Sequence, residues 1–262
     1  MTRAMTLDQG VTWVVLPTVN EVASIVHMIE RVSQALAEEP HELCIVDDDS
    51  TDGTVENVMA YRDAHPEARI RLIQRRKEHW GSQRGAAVLS GLKAGLEGPA
   101  DVFVEMDADL SHLPEELKVG LNLVRSGRTD VAIASKYLPG SSVLRRPWSR
   151  RLISRVANLW VRTFLRWRVS DYSNGYRFYS RAAARKLCGE PIRFGSPIYL
   201  SEGLARLMSA GMRVAEFPST YVGRDEGLSK LRPIDLVKAA IAIFPIALRF
   251  HLLRKRRENL PR

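Results

Sequence analysis

Two aspartates separated by one residue, Asp107 and Asp109, are the clearest chemical signal in the sequence. They follow an apolar run at residues 102–106 that is typical of a buried strand. Two carboxylates this close repel each other unless a cation lies between them, and hard ions such as Mg2+ or Mn2+ share such oxygen ligands with substrate phosphates. We therefore predict a divalent-cation site here. The alternative is that Asp109 or Ser111 only caps a helix that begins near residues 113–116.

A second acidic cluster, Asp47-Asp48-Asp49, ends another short apolar run. Three consecutive carboxylates need hydrogen bonds, so Asp47 and Asp48 are candidates for contact with a base, a ribose or main-chain N–H groups. The residues just downstream, Thr51 and Asp52, have a simpler explanation, because both residue types commonly cap helix N-termini.

Three further polar segments carry weaker signals. Pro17–Glu21 opens a helical pattern, and its polar residues alone indicate only a cap and a first-turn acid. The segment Asp171–Arg177 contains a carboxylate, a glycine and an arginine. These residues could form a functional loop, but an ordinary turn with an ion pair has the same composition. Arg224–Lys230 brackets Gly227 and Ser229 with cations, which suits a phosphate-wrapping loop but is equally typical of a solvated basic loop.

The elements that must position these residues alternate between strands and helices over the first 135 residues. Short apolar runs at 11–16, 43–46, 70–73, 102–106 and 131–134 predict five strands. Stretches with helical periodicity at about 20–38, 52–62, 84–96 and 114–125 predict the helices between them. This order predicts an α/β fold with a mostly parallel sheet and helices on both faces. Ligands of such sheets bind beyond the carboxyl ends of the strands, where the polar clusters fall.

The region after residue 140 is basic and amphipathic. Residues 145–168 contain eight arginines and no acidic residue, interleaved with tryptophan and aliphatic residues. This pattern predicts a helix that lies on a membrane surface, or one that packs its apolar side on the sheet. Residues 236–253 are mostly apolar but include Lys238 and Arg249, so they suit an interfacial helix better than a membrane-spanning one.

The composition of the chain excludes several classes of protein. A chain of 262 residues with 45% hydrophobic residues can bury a core, which excludes disorder and small disulfide scaffolds. The net charge of +9 favours an anionic partner, but acidic clusters at strand ends would repel nucleic acid. Two distant cysteines, Cys44 and Cys188, indicate no zinc site and predict a reducing cytoplasm. The N-terminus lacks the apolar run of a signal peptide.

Taken in order, the motifs PTxNE, VDDDSTDGT, DADLSH and ASKY, a basic helix, DxxxGxR and RxxGxSK resemble the family 2 glycosyltransferases. These enzymes have the GT-A (Rossmann-like) fold, and the last two motifs with the interfacial helices resemble the polyprenyl-phosphate (dolichyl-phosphate) mannosyltransferase type. The resemblance covers residues 11–232. It implies a catalytic domain over residues 1–232 and a C-terminal amphipathic, membrane-surface helix over residues 233–262.

The resemblance implies a role for each matched position. Nucleotide-sugar binding falls to Pro17, Thr18, Asn20, Glu21, Asp47, Asp48 and Asp107, and metal binding to Asp107 and Asp109. Catalytic roles fall to Asp109, Arg177, Arg224 and Lys230. Acceptor-phosphate binding falls to Lys136, Arg150, Arg151 and Ser229.

The reaction that the resemblance implies is transfer of a hexose, above all mannose from GDP-mannose, to a polyprenyl (dolichyl-type) monophosphate with inversion. The expected cofactor is Mg2+ or Mn2+. The expected location is cytoplasmic, peripheral to the inner face of the membrane, with a separate membrane-anchor protein as a further partner and no nucleic acid. The alternatives are UDP-glucose or UDP-N-acetylglucosamine as donor, and a non-lipid acceptor.

Overall fold

The computed structural model describes residues 10–76, 84–165, 169–194, 198–223 and 240–250. Their strands are β1 (Val11–Thr18), β2 (His41–Asp47), β3 (Ile70–Gln74), β4 (Ala100–Glu105), β5 (Val131–Ser135), β6 (Ser142–Leu144), β7 (Arg177–Ser180), β8 (Val214–Pro218) and β9 (Thr220–Val222). Their helices are α1 (Ile25–Ala35), α2 (Thr54–Ala64), α3 (Arg84–Leu96), α4 (Leu117–Arg125), α5 (Trp148–Leu165), α6 (Arg181–Cys188) and α7 (Tyr199–Ser209). Residues 240–250 are also helical.

Seven of the described strands form one sheet in the order β3-β2-β1-β4-β7-β5-β8. Strands β3, β2, β1 and β4 are parallel neighbours, and β5 is parallel to β8. Strand β7 is antiparallel to both β4 and β5, and it joins the two parallel groups. Strands β6 and β9 form a small separate sheet. The sheet is therefore mostly parallel, as the alternation of strands and helices predicts.

Apolar side chains cover both faces of the main sheet. Trp13 and Phe103 belong to one hydrophobic cluster, together with buried residues of α3, α5, α6, α7 and the helix at 240–250. Val14 and Val104 belong to the other cluster, together with residues of α1, α2 and α4. Neighbouring residues of one strand thus enter opposite clusters, which is the alternation expected of strands buried on both faces.

Glycines set the distance between α3 and the sheet. A Cβ at Gly91 would lie 2.5 Å from Val15 Cγ1, and a Cβ at Gly95 would lie 2.7 Å from the Trp13 ring. The indole Nε1 of Trp13 also donates to the carbonyl of Gly91 at 2.9 Å. This close packing holds α3, whose first residue is Arg84, firmly against the sheet.

The strands and helices predicted for the first 135 residues are confirmed, with shifted helix starts. Helix α1 begins at Ile25 rather than at residue 20, because the preceding residues form a turn in which Asn20 has a φ of 54°. Before α4, Pro114–Glu116 forms a 3-10 turn. Strand β7 is not predicted by the sequence pattern, and it places Arg177 in the middle of the sheet.

The basic segment forms one helix, α5, that begins at Trp148, three residues later than predicted. Arg145, with a φ of 47°, and Pro147 precede it, and residues 166–168 lie outside the described ranges. Most of α5 faces outward; its buried residues are Asn158, Val161 and Leu165.

The C-terminal segment is described at residues 240–250. Its helix buries Ile243 and Phe250 in the core cluster while Ile241 and Leu248 are exposed. Within the described ranges, no helix is both long enough and apolar enough to cross a membrane.

Candidate active site

The carboxyl ends of β1, β2 and β4 lie side by side at one edge of the sheet. The hydroxyl of Thr18, which ends β1, donates to Asp47 Oδ2 at 3.1 Å, and the N–H of Asp48 donates to the carbonyl of Thr18 at 3.0 Å. Asp107 follows β4, the neighbour of β1 on its other side. The three strand-end motifs therefore meet at this edge.

Hydrogen bonds join the segment after β1 to the loop after β2. The N–H of Asn20 donates to Ser50 Oγ at 2.8 Å, and Asn20 Oδ1 accepts from the N–H of Thr51 at 2.9 Å. The N–H of Glu21 donates to Thr54 Oγ1 at 2.9 Å. The predicted nucleotide contacts of segment 17–21 thus lie at the end of β1 and in the well-held turn after it, and their role in binding stays a prediction.

The acidic cluster after β2 is balanced within the chain. Asp47 is 2% exposed and accepts from both the N–H and the hydroxyl of Ser50. Asp48 is 6% exposed and forms an ion pair with Arg75, with Nη1 2.8 Å from Oδ1. Asp49 is exposed to solvent. The repulsion among the three is therefore relieved, and contact of Asp47 and Asp48 with a base or a ribose stays a prediction.

Asp107 and Asp109 are both partly exposed at the same edge. Asp109 Oδ1 accepts from the N–H of Ser111 at 3.0 Å, within its own loop. The turn at Pro114–Glu116 has Leu113 at its N-cap position and no side-chain cap. The alternative that Asp109 or Ser111 caps this helix is therefore wrong, and the acidic pair needs another explanation.

Arg84 lies between two carboxylates. Its Nε donates to Asp107 Oδ1 at 2.7 Å, and its Nη1 donates to Glu105 Oε1. Its Nη2 reaches the carbonyl of Gly175 at 3.3 Å, and its guanidinium carbon lies 5.6 Å from the centroid of the Tyr199 ring. One side chain thus connects the acidic pair, strand β4 and the loop before β7.

Glu105 explains why a cation is needed at this place. It is fully buried and also accepts from the hydroxyls of Tyr179 and Tyr199. Burial raises the pKa of Glu105, although Arg84 opposes this. Burial alone would lower the pKa of Arg84, but Asp107 and Glu105 outweigh it and raise that pKa above its ordinary value. Moving the guanidinium away would leave a buried carboxylate without its hydrogen-bonded cation, at a cost of several kcal/mol.

His112 connects the acidic pair to the loop before β7. Its Nδ1 accepts from the N–H of Asp107 at 3.0 Å, so Nε2 carries the proton and donates to Asn174 Oδ1 at 2.9 Å. Burial lowers the pKa of His112, with Asp107 and Asp109 acting in the opposite direction. The neutral ring fits both hydrogen bonds.

Lys136, just after β5, forms a buried ion pair with Asp171. Its Nζ lies 3.5 Å from Asp171 Oδ2, and its N–H donates to the same oxygen at 3.1 Å. Burial lowers the pKa of Lys136, and Asp171 opposes this. Burial would raise the pKa of Asp171, but Lys136 and nearby hydrogen bonds bring it below its ordinary value.

A second cation lies near Lys136. Lys136 Nζ and the guanidinium carbon of Arg146 each lie 5.3 Å from the centroid of the Tyr221 ring. Burial raises the pKa of the Tyr221 hydroxyl, and so do the charges of Asp109 and Asp107. Two cations on one aromatic ring therefore border the acidic pair.

The acidic pair fits a divalent cation as part of a shared ligand set. Across the described ranges, no group of three or more His, Cys, Asp or Glu residues is placed to hold a metal ion. Asp107 and Asp109 supply hard oxygen ligands, which suit Mg2+ or Mn2+ when a diphosphate supplies other ligands. A carboxylate that accepts one hydrogen bond from Arg84 still has lone pairs for an ion.

The family model described as Glycosyl transferase family 2 matches residues 13–188 of this chain. The chain belongs to this family. Polyprenol monophosphomannose synthase of Mycolicibacterium smegmatis is 33% identical over 94% of this chain and 90% of its own length. Undecaprenyl-phosphate mannosyltransferase of Micrococcus luteus is 32% identical over 92% of this chain and 97% of its own length. The chain is therefore a glycosyltransferase.

Solved structures of glucosyl-3-phosphoglycerate synthase from Mycobacterium tuberculosis share the fold. One, in complex with Mn2+, UDP and glucosyl-3-phosphoglycerate, has a TM-score of 0.61 and 20% identity over 92% of this chain and 80% of that one. Another, with Mg2+ and UDP, has a TM-score of 0.62 and 19% identity over 92% of this chain and 79% of that one. The likeness confirms the predicted GT-A fold.

The family resemblance predicts a catalytic role for Arg177 near the sugar and the phosphate; this role stays a prediction, and the structure shows a structural role. Arg177 is the first residue of β7 and is 1% exposed. Its guanidinium donates to the carbonyls of Tyr172, Asn174 and Leu200 at 2.8–2.9 Å. All three nitrogens are thus used on buried main-chain carbonyls, and Arg177 holds the loop that precedes it.

Two of the predicted acceptor-phosphate residues, Arg150 and Arg151, lie in the first turn of α5, and their role in binding stays a prediction. Arg151 donates to the carbonyls of Val143 and Arg146, which closes the turn before α5, and Arg150 is exposed on α5. Arg146, not predicted, is the arginine of this segment that lies beside Tyr221. The predicted residues Arg224, Ser229 and Lys230 lie outside the described ranges.

Arg84 and Glu105 are also missed by the sequence analysis. Glu105 is the single charge in the apolar run 102–106, and such a charge in a buried strand is a signal that a partner exists. Nothing in the sequence shows that the partner is Arg84, since only the folded sheet brings them together.

Proposed function

We propose that this chain transfers mannose from GDP-mannose to a polyprenyl monophosphate, with inversion at the anomeric carbon. This chain matches a polyprenol monophosphomannose synthase over 90% of that protein's length and an undecaprenyl-phosphate mannosyltransferase over 97% of its length. These names support this substrate class. The observation that carries the proposal is the position of the acidic pair, Asp107 and Asp109, beside the cations Lys136 and Arg146.

The donor is proposed to bind at the carboxyl ends of β1, β2 and β4. Asp47 and Asp48 would contact its base or ribose, while Asp107 and Asp109 would hold Mg2+ or Mn2+ on its diphosphate. Such an ion supplies positive charge that offsets the negative charge developing on the leaving GDP. Structures of the same fold that contain UDP with Mn2+ or Mg2+ support a divalent ion.

The acceptor phosphate is an anion at neutral pH, so its oxygen needs no strong base before it attacks the anomeric carbon. The obstacle is repulsion between the acceptor phosphate and the donor diphosphate, which grows several-fold when water is excluded. Lys136, oriented by Asp171, and Arg146 are proposed to offset this repulsion. Their positive charges must face the developing negative charge before the reaction begins.

An apolar groove supports a lipid acceptor, since its lining residue Ser173 donates to Asp171, the partner of Lys136. It has a volume of about 570 Å³, and its lining includes Leu152, Ile153, Val156, Trp160 and Ile198. Tyr172 and Ser173, which also line it, directly follow Asp171 in the sequence. A prenyl chain in this groove would place its phosphate toward the Lys136–Asp171 pair.

The outer surface of α5 supports contact with a membrane. Trp148 is 77% exposed and Leu159 is 62% exposed, and the arginines Arg150, Arg155 and Arg162 are exposed on the same helix. Each basic residue near an anionic bilayer contributes about 1 kcal/mol. We propose peripheral binding through this helix; a cytoplasmic location and a separate anchor protein stay predictions.

The test of the reaction is incubation of the protein with GDP-mannose, Mn2+ and a short polyprenyl phosphate, followed by thin-layer chromatography of the lipid. We expect a mannosylated lipid from the wild type and none from folded Asp109→Ala. Asp63→Ala, at an exposed carboxylate away from the site, is the matched control and should retain activity. Parallel reactions with UDP-glucose, UDP-N-acetylglucosamine and a non-lipid acceptor test the alternatives. Absence of product together with absence of calorimetric binding of GDP-mannose refutes the proposal.

The test of membrane contact is co-sedimentation with vesicles at low salt. We expect binding to vesicles that contain anionic lipid and little binding to zwitterionic vesicles. The double substitution Trp148→Ser and Leu159→Ser should weaken binding, whereas Met59→Ser, at a partly exposed apolar residue on α2, should not. Wild-type protein that stays in the supernatant with anionic vesicles would refute peripheral binding.

A further inference from the structure

We propose that Arg84 is a positioning residue that acts as a built-in cation for Asp107 and makes divalent-ion binding depend on the nucleotide. In this view the ion alone binds weakly, because Asp107 is already paired, and it binds well only when a diphosphate brings further ligands. The inference rests on the proposed function, since it concerns the same donor site.

The contacts of Arg84 form a built site rather than a chance surface pairing. All three guanidinium nitrogens donate hydrogen bonds, to Asp107, to Glu105 and to the carbonyl of Gly175. A Cβ at Gly175 would lie 2.5 Å from Arg84 Nη2, so this glycine leaves the space that the guanidinium occupies. Likewise, a Cβ at Gly85 would lie 2.7 Å from the ring of Tyr199, which packs over the guanidinium.

The guanidinium cannot move aside when an ion arrives. Glu105 is fully buried; Arg84 is its hydrogen-bonded cation, two tyrosine hydroxyls donate to it, and Arg177 adds a smaller electrostatic attraction. Loss of the Arg84 guanidinium would leave the buried carboxylate of Glu105 without its hydrogen-bonded cation, which is strongly unfavourable. Asp107 must therefore be shared between Arg84 and an incoming ion, and the fixed positive charge next to Asp107 opposes a divalent cation.

A diphosphate changes this balance. Its oxygens supply negative charge and ligands that Asp107 and Asp109 alone lack, and the described ranges contain no third carboxylate or histidine placed to help them. The ion and the nucleotide are thus expected to increase each other's affinity by the same factor, as thermodynamic linkage requires. Arg84 sets the size of this factor because it weakens the ion-only state.

The test is Mn2+ binding measured by electron paramagnetic resonance, with and without GDP, and repeated with UDP. The main variant is R84M/E105Q, which removes both members of the buried pair, so that no buried carboxylate is left without its cation. We expect it to bind Mn2+ alone about five-fold or more tightly than the wild type, so that the nucleotide increases Mn2+ affinity less. R84K keeps the positive charge and should remain close to the wild type.

Arg31→Met is the matched control, because Arg31 forms a similar pair with Glu115 away from the site. It should leave Mn2+ binding unchanged. Circular dichroism and the melting temperature show whether each variant is folded; if R84M/E105Q is not, the wild type decides, because Mn2+ affinity that does not rise when GDP is added overturns the inference. A folded variant that lacks the Arg84 charge and binds Mn2+ alone no better than the wild type overturns the inference. Failure of the wild type to bind GDP or UDP even with Mn2+ would instead count against the proposed function.

Discussion

Replacing Arg177 with methionine should destabilise the fold strongly, because its guanidinium serves three buried carbonyls. Methionine keeps much of the apolar stem but leaves the carbonyls of Tyr172, Asn174 and Leu200 without their donor. Each buried carbonyl left without a donor costs about 1–2 kcal/mol, so we expect the free energy of unfolding to fall by about 3–6 kcal/mol. For a chain of this size, that corresponds to a fall of roughly 10 °C in melting temperature.

The assay is thermal unfolding followed by circular dichroism, together with calorimetric titration of GDP-mannose and Mn2+ well below the melting temperature. Arg62→Met is the control, since Arg62 is an exposed arginine paired with its neighbour Asp63; its effect should be within about 0.5 kcal/mol. We expect Arg177→Met to bind the donor nearly as well as the wild type while it is folded. A variant with an unchanged melting temperature and lost donor binding would show that Arg177 contacts substrate, and would refute this assignment.

Three further predictions concern stability and reactivity. Asp171→Asn should cost about 3 kcal/mol or more at pH 7 because it leaves a buried lysine unpaired. Since the pKa of Asp171 is lowered in the fold, its stabilising effect is present above pH 4 and is lost as the pH falls further, so the melting temperatures of the wild type and the variant should converge there. Gly120→Ala should cost about 1–3 kcal/mol in urea unfolding, because the new Cβ would lie 2.3 Å from the Phe178 ring. Burial raises the pKa of Cys44 to about 12 and that of Cys188 to about 11, so both thiols should react slowly with a disulfide reagent at pH 8 until urea is added; fast reaction of the folded protein would contradict this.

The parallel part of the fold is predictable because its strands are short apolar runs bounded by polar residues. Strand β2, for example, is buried along its core residues and ends at Asp47, where the chain becomes polar. The meeting of the three motifs at one edge follows from the parallel arrangement alone. The sequence therefore predicts where the site lies without any knowledge of side-chain contacts.

Strand β7 and the buried charges are not predictable in this way. The strand has four residues, begins with an arginine and shows no clear alternation, so its pattern does not distinguish it from a turn. Arg177 is interpreted from the motif as a phosphate ligand, although the sheet register turns it inward beside Glu105. The pairing of Arg84 with Glu105 depends on how α3 packs on the sheet, which no local pattern encodes.

The antiparallel strand between the two parallel groups has a consequence for synthesis on the ribosome. Once residue 105 has emerged from the ribosome, β1, β2, β3 and β4 can form all the pairs that join these four strands. Among the described strands, β5 and β8 attach to that half only through β7. A nascent chain that stops before residue 177 therefore exposes one unpaired side of β4 to solvent or to chaperones, and the four residues of β7 decide when the two parallel groups can join.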